Sequence, residues 1–319
     1  MGQGRGAGPI HLNEGALRAT ILPGLGAGLA DLSLRGPNGY PVPLLRRAPH
    51  DAAHFNELAC YLMAPWSNRI AGAAFEFGGR TQRLRPNWAD GTAIHGDVCS
   101  RPWAILDRTP VSARLALDSR SHADANWPWP FVARVRYEIG AEAFATELSV
   151  TNLGDAPMPA GLGFHPYFMR RLWSAADDVR VEVRTAGRYP AAGMIPKGAP
   201  VADGVTAALG AGGPLGGAEL DDVFAGFDGR ATIRWPSSGV SLQFDCSPEL
   251  GHAVVYSPAR DHAGGGGRGS LSWFCVEPVS MVNDGFNRLA GGDGGTGVRT
   301  LAPGETLEVR WAMRIEGGA

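Results

Sequence analysis

FVARVRYEI, residues 131–139, alternates apolar and charged residues from Ala133 to Ile139. Phe131, Ala133, Val135, Tyr137 and Ile139 fall on one side, and Arg134, Arg136 and Glu138 on the other. Successive side chains of an extended chain point to opposite faces, so a period of two predicts a strand with one buried and one wet face. TLEVRWAMRI (306–315) repeats the pattern, with Leu307, Val309, Trp311, Met313 and Ile315 set against Glu308, Arg310 and Arg314. Shorter versions are VRVEV (179–183), RATIRW (230–235), VSLQFD (240–245) and HAVVYS (252–257). Turn residues punctuate them at RGPNG (35–39), NLGD (152–155), PSSG (236–239) and APGE (302–305). Helical periodicity is scarce, and 46 glycines and 24 prolines argue against long helices. The chain reads as all-β: many short antiparallel strands in a large sandwich or barrel, with few short helices. No fixed repeat or separating linker is visible, so residues 1–319 read as a single domain.

Composition narrows the partners. Charged residues make up 19% and the net charge is −2, with no basic stripe or acidic tail. That balance gives no reason to expect nucleic acid or an anionic membrane surface, and it suits a neutral small molecule. No apolar run approaches the ~20 residues needed to span a bilayer. The opening MGQGRGAGPIHLNEG lacks the apolar core of a signal peptide, and Gly6 stands where a myristoylation pattern needs Ser or Thr. Cys60, Cys99, Cys246 and Cys275 are scattered singly, without a C-x-x-C pair. Reduced thiols in a cytoplasmic protein are therefore expected, acting as a monomer or homodimer. Three glycine-rich segments, 203–219, 261–270 and 290–297, lack the G-K-[ST] ending of a phosphate loop and read as surface loops. GLGAG (24–28) is not followed by a helix, so no dinucleotide site is expected.

Five islands place polar groups in unusual company. PWSNRI (65–70) carries Asn68 and Arg69, and AIHG (93–96) sets His95 before a glycine. GFHPYF (163–168) wedges His165 among Phe164, Tyr167 and Phe168. ELDDVF (219–224) holds Asp221 and Asp222, and WFCVEPVS (273–280) embeds Glu277 after four residues suited to burial. Alternation puts Glu277 on one face with Cys275 and Trp273. A carboxylate is rarely buried unpaired, because removing its charge from water costs several kcal/mol. Either Glu277 is a strand-end residue exposed at the turn before Pro278, or it sits in an apolar pocket with a raised pKa, suited to a general base. A histidine near pKa 6.5 gives or takes a proton at neutral pH, although an isolated histidine is more often structural. His95, His165 and Glu277 show no zinc-ligand spacing, so no metal is expected. No G-x-S-x-G elbow is present.

In this order and spacing, the islands resemble the aldose 1-epimerase (galactose mutarotase) family, from about Leu62 to Asn287. The strongest block is PWSNRIAGAAFEFGGRTQRLRPNWADGTAIHG (65–96), similar to the family's Asn-Arg-Ile segment and His-Gly. GFHPYF resembles the second histidine motif of a shorter bacterial branch. LDDVF resembles the sugar-binding Asp motif, and VEPVSMVNDGFN (276–287) the glutamate segment. The resemblance implies a large antiparallel sandwich of the galactose mutarotase-like type with an open sugar cleft. It implies interconversion of α and β anomers of a free aldose such as galactose or glucose, without metal or organic cofactor. By motif, Glu277 matches the base and His165 the acid that protonates the ring oxygen. His95 matches the second histidine near that oxygen. Arg69 and Asp221 match residues that hold sugar hydroxyls. Asn68 lies beside the site, and Asp222 stands where the family often has histidine. Trp66, Trp88, Trp127 and Trp129 are candidate stacking platforms.

Three other readings stay open at this level. A mutarotase for an anionic sugar, phosphorylated or sulfonated, needs one more basic residue at the cleft, and Arg170 or Arg171 could supply it. A carbohydrate-binding sandwich without turnover would not need both His165 and Glu277. A glycoside hydrolase would need two carboxylates flanking one bond, such as Glu277 with Asp221.

Overall fold

The computed structural model describes residues 8–258 and 272–317. The two quoted alternating stretches form the strands Phe131–Ile139 and Thr306–Glu316, which flank Ala143–Asn152 on either side. They belong to an eight-stranded sheet in the spatial order Ala104–Arg108, Ser112–Asp118, Phe131–Ile139, Ala143–Asn152, Thr306–Glu316, Val240–Cys246, Ala231–Trp235, Arg180–Val183. A ten-stranded sheet faces it. Its middle runs Gly28–Arg35, Cys60–Met63, Gly163–Met169, Trp273–Val279, His252–Ser257, Leu220–Ala225. Every pairing along both sheets is antiparallel. The structure is thus an antiparallel β-sandwich.

Aromatic contacts across the gap join the sheets. Phe164 meets Trp311 with ring centroids 5.5 Å apart, and Phe168 meets Phe244 at 5.7 Å. The Tyr137 hydroxyl crosses to donate to the Ala27 carbonyl at 2.7 Å. All five rings are buried, so this layer removes large apolar surface from water, worth roughly 25 cal/mol per Å².

The central strands of the larger sheet are buried on both faces, and this is what creates a site. In Gly163–Met169, Phe164 and Phe168 enter the core between the sheets, while Tyr167 joins a second cluster on the other face. In Trp273–Val279, Phe274 and Val276 face the main core, whereas Trp273, Cys275 and Val279 face the second cluster. His165 and Glu277 share the parity of that second face. Between the pairs Gly163↔Val279 and Tyr167↔Cys275 the ladder is interrupted. Pro166 and Pro278 lie within that stretch, and neither has an N–H to donate. The same register sets His165 opposite Glu277.

The segment 203–219 departs from the expected loop. Gly204–Gly210 is a short helix, capped where the Asp203 carboxylate accepts from the Thr206 amide at 2.9 Å. Thr206 and Leu209, three apart, are its buried face. A second helix, Gly285–Ala290, runs into the start of the 290–297 segment. The 261–270 segment lies outside the described residues. Among the described residues, no helix is long and apolar enough to cross a membrane.

Candidate functional site

His165 is 5% exposed and Glu277 2%, which disposes of an exposed strand-end glutamate. They meet directly, with His165 Nε2 3.1 Å from Glu277 Oε1. The imidazole stacks on Tyr61, directly opposite it on the neighbouring strand, at 4.5 Å, and on Tyr167 at 4.7 Å. Burial drives the Glu277 carboxyl well above the usual range; Asp221 pushes the same way and Arg69 opposes. Burial drives His165 down to about 3, helped by the Arg46 charge. Both directions favour a neutral pair, a carboxyl proton donated to the imidazole nitrogen. His165 Nδ1 and Glu277 Oε2 have no hydrogen-bond partner among the described residues. An unmet buried polar atom costs about 1–3 kcal/mol, so a bound polar ligand able to reach either would gain from it.

The block from Asn68 to Gly96 brings the next groups in through strained backbone. His95 has φ 64° and Asn68 φ 52°, both left-handed conformations uncommon outside glycine. The His95 amide donates to the Asn68 carbonyl at 3.0 Å, and Arg69 pairs with Ile94 in a two-residue ladder. Gly96 has φ 82°, and a Cβ there would lie 2.2 Å from the Ala64 carbonyl oxygen, so no other residue fits. His95 meets His165 edge-on at 5.2 Å, with its Nδ1 3.1 Å from Met63 Sδ. Burial, then His165 and Arg69, hold it well below the usual imidazole range, so its ring is neutral. Arg69 Nε donates to Asp90 at 3.0 Å, which fixes the guanidinium.

These residues border one cleft of about 480 Å³. Glu277, His165, His95, Arg69, Asn68 and Asp221 all line it. Asp221 shares strand parity with Val223, a member of the second cluster, and pairs with Tyr256 across the ladder. Asp222 is turned away into an ion pair with Arg188 at 3.0 Å.

The aromatic platforms need correcting. Trp66 and Trp127 are buried in the main core, stacked on each other at 5.3 Å, and Trp129 packs against Phe75 and Phe77. Trp88 does border the cleft, 37% exposed. Trp273 also lines it; its parity with Glu277 was a usable signal. Arg170 is spent on the carbonyls of Trp273 and Gly216 and on Ser257 Oγ, and neither it nor Arg171 borders the cleft. Arg46 does. Its guanidinium lies 3.8 Å over the Tyr167 ring and donates to the carbonyls of Asn56 and Leu58. Nothing local in LLRRAPH marks Arg46 out from Arg47. Tyr61, Tyr256 and Asn56 also form part of the wall. A mixed imidazole, thiol and carboxyl donor set also lies here: ligand atoms of His165, Cys275 and Glu277 are all within 4.8 Å of one another.

The E. coli K12 protein YphB, itself uncharacterized, is 26% identical over 284 residues, covering 86% of this chain and 89% of its own. YihR of E. coli K12, also uncharacterized, is 30% identical over 169 residues, about half of each chain. Among solved structures, a galactose mutarotase-like protein from Clostridium acetobutylicum superposes with TM-score 0.81 at 20% identity, over 97% of this chain and 95% of that one. The GalM/aldose epimerase homologue from C. elegans gives 0.79 at 19%, over 98% and 99%. These likenesses share the fold. The sequence profile of the aldose 1-epimerase family matches residues 9–314, nearly the whole described chain, and the protein belongs to that family.

Proposed function

We propose that the protein interconverts the α and β anomers of a free aldose, by opening and closing the pyranose ring with Glu277 and His165 as the proton-transfer pair. The observation that carries this reading is the 3.1 Å contact between the two side chains at the floor of the cleft. Ring opening takes a proton from the C1 hydroxyl and gives one to the ring oxygen. Both oxygens are bonded to the same carbon, so the groups serving them must be neighbours. Once the sugar is bound, the carboxyl proton of Glu277 passes across the 3.1 Å contact to His165; Glu277 as carboxylate then accepts the hydroxyl proton while His165 as imidazolium protonates the ring oxygen, and the C1–O5 bond breaks. The step leaves a carboxyl and a neutral imidazole, the distribution that burial favours. Rotation about C1–C2 exposes the other aldehyde face, and closure with the proton roles reversed gives the other anomer. Arg69 stabilises the carboxylate form of Glu277 electrostatically and, with Asp221, holds sugar hydroxyls. His95, kept neutral, hydrogen-bonds near the ring oxygen. Asn68 supports that corner, and Trp88 and Trp273 offer faces for the sugar's C–H surface. Positioned acid–base catalysis contributes typically about 10²–10⁴-fold, enough for a reaction that already proceeds in water.

Arg46 favours a second reading, an aldose bearing an anionic group, because a guanidinium suits a phosphate or sulfonate. Polarimetry of freshly dissolved α-D-galactose, α-D-glucose and α-D-glucose 6-phosphate tests both. Faster optical decay with the neutral sugars supports the first reading, and decay accelerated only with the phosphate supports the second. Binding of all three without acceleration would leave a carbohydrate-binding protein and refute turnover.

A further inference from the structure

We propose that His165, Cys275 and Glu277 form a binding site for a thiophilic divalent cation, Zn²⁺ above all, and that its occupation stops anomer exchange. The inhibitory half rests on the function proposed above; the binding half rests on geometry alone. Among the described residues this is the one place where three ligand-type side chains converge, and all three are buried. Two of them already touch, at 3.1 Å. Tetrahedral zinc, with bonds of about 2.0–2.3 Å, sets its ligand atoms roughly 3.5 Å apart, so the sulfur need move by only about 1 Å. Cys275 projects to the same face as Glu277 because the two are two residues apart on one strand. It sits across the ladder from Tyr167, itself two residues from His165 on the neighbouring strand.

The donor set selects the ion. Imidazole, thiolate and carboxylate together suit zinc or its cobalt stand-in, whereas Mg²⁺ and Ca²⁺ require oxygen ligands. Binding is ligand exchange without electron transfer. Cys275 and Glu277 release their protons to solvent, His165 offers the Nε2 lone pair, and two negative ligands neutralise the ion. His165 and Glu277 line the cleft, so water there could supply a fourth ligand, while Cys275 lies buried behind them. Resident zinc histidines donate their second ring N–H to a fixed acceptor, but His165 Nδ1 has no partner among the described residues. That points away from a permanent cofactor and toward an inhibitory ion, which would occupy the two groups that move protons.

Titration of the full chain with Co²⁺, followed by absorption spectroscopy, reads the site without any activity. A sulfur-to-cobalt charge-transfer band in the near ultraviolet should appear, saturate at one ion per chain, and vanish on addition of Zn²⁺ but not Mg²⁺. Cys275→Ala should lack the band. It should also need at least about 100-fold more Zn²⁺ for half-inhibition, measured against its own uninhibited rate, since even losing an outer partner of a metal ligand costs 10–100-fold. If the alanine variant does not fold, Cys275→Ser keeps the volume and must still lose the sulfur band. Absence of the band at saturating Co²⁺, its persistence in either variant, or unchanged Zn²⁺ inhibition overturns the site. A wild-type protein that shows the band but no mutarotation keeps the site and discards the proposed function.

Discussion

At the scale of single residues, the proposed chemistry turns on two buried side chains that touch. Glu277→Gln keeps shape and burial but removes proton transfer, and His165→Asn does the same to its partner. Each should cut turnover by at least about 10²-fold in a polarimetric assay while leaving the far-ultraviolet spectrum intact. Near-normal rates in either variant would remove that residue from its role. Gly96 is a backbone requirement instead. With φ 82° and a prospective Cβ 2.2 Å from the Ala64 carbonyl oxygen, Gly96→Ala must shift the chain that carries His95. A lower melting temperature together with reduced activity is expected; an unchanged melt would mean that the loop yields freely. The residues of the candidate site were legible because ionisable groups in apolar company are costly and therefore conspicuous, and because their motifs resemble the family's. Arg46 was not, since its packing over Tyr167 depends on a strand more than a hundred positions away.

At the scale of elements, parity did most of the work. HAVVYS and FVARVRYEI are the strands His252–Ser257 and Phe131–Ile139, with the bounds that alternation implies. Alternation also places Trp273, Cys275 and Glu277 together. It gave nothing for Gly204–Gly210, whose glycine-rich surroundings hide a helix held by its cap. Asp203 there accepts from the Thr206 amide and hydroxyl and pairs with Arg188; the Thr206 amide first, then Arg188, hold its carboxyl down to about 2 from an ordinary value of 3.8. A carboxyl depressed in the folded state stabilises above its unfolded pKa, and the contribution fades as pH falls through the folded one. Asp203→Ala should therefore melt at a lower temperature at pH 7, and the gap from wild type should close between about pH 4 and pH 2. A gap independent of pH would mean that the carboxylate charge is not what caps the helix.

At the scale of the whole molecule, one core holds the sheet that carries the site. Phe164 is fully buried between the sheets and faces Trp311, one residue from His165 but on the opposite side of its strand. Phe164→Ala should cost about 3–5 kcal/mol, a large share of the 5–15 kcal/mol typical of a folded domain. Denaturant titration should show a lower midpoint with an unchanged slope. A shift below about 1 kcal/mol would mean that the two sheets close over the gap. The sequence by itself determined that the protein is built of short antiparallel strands and which polar residues stand in apolar company, because both are local properties of a chain that alternates every two residues. Only the tertiary structure decided that His165 and Glu277 touch, that Trp66 and Trp127 are core while Trp273 is wall, and that Arg46 rather than Arg170 reaches the cleft. Those facts depend on strand order, which sets Gly163–Met169 between Cys60–Met63 and Trp273–Val279 across about a hundred residues of chain on either side. No periodicity within a strand encodes which distant strand will lie beside it.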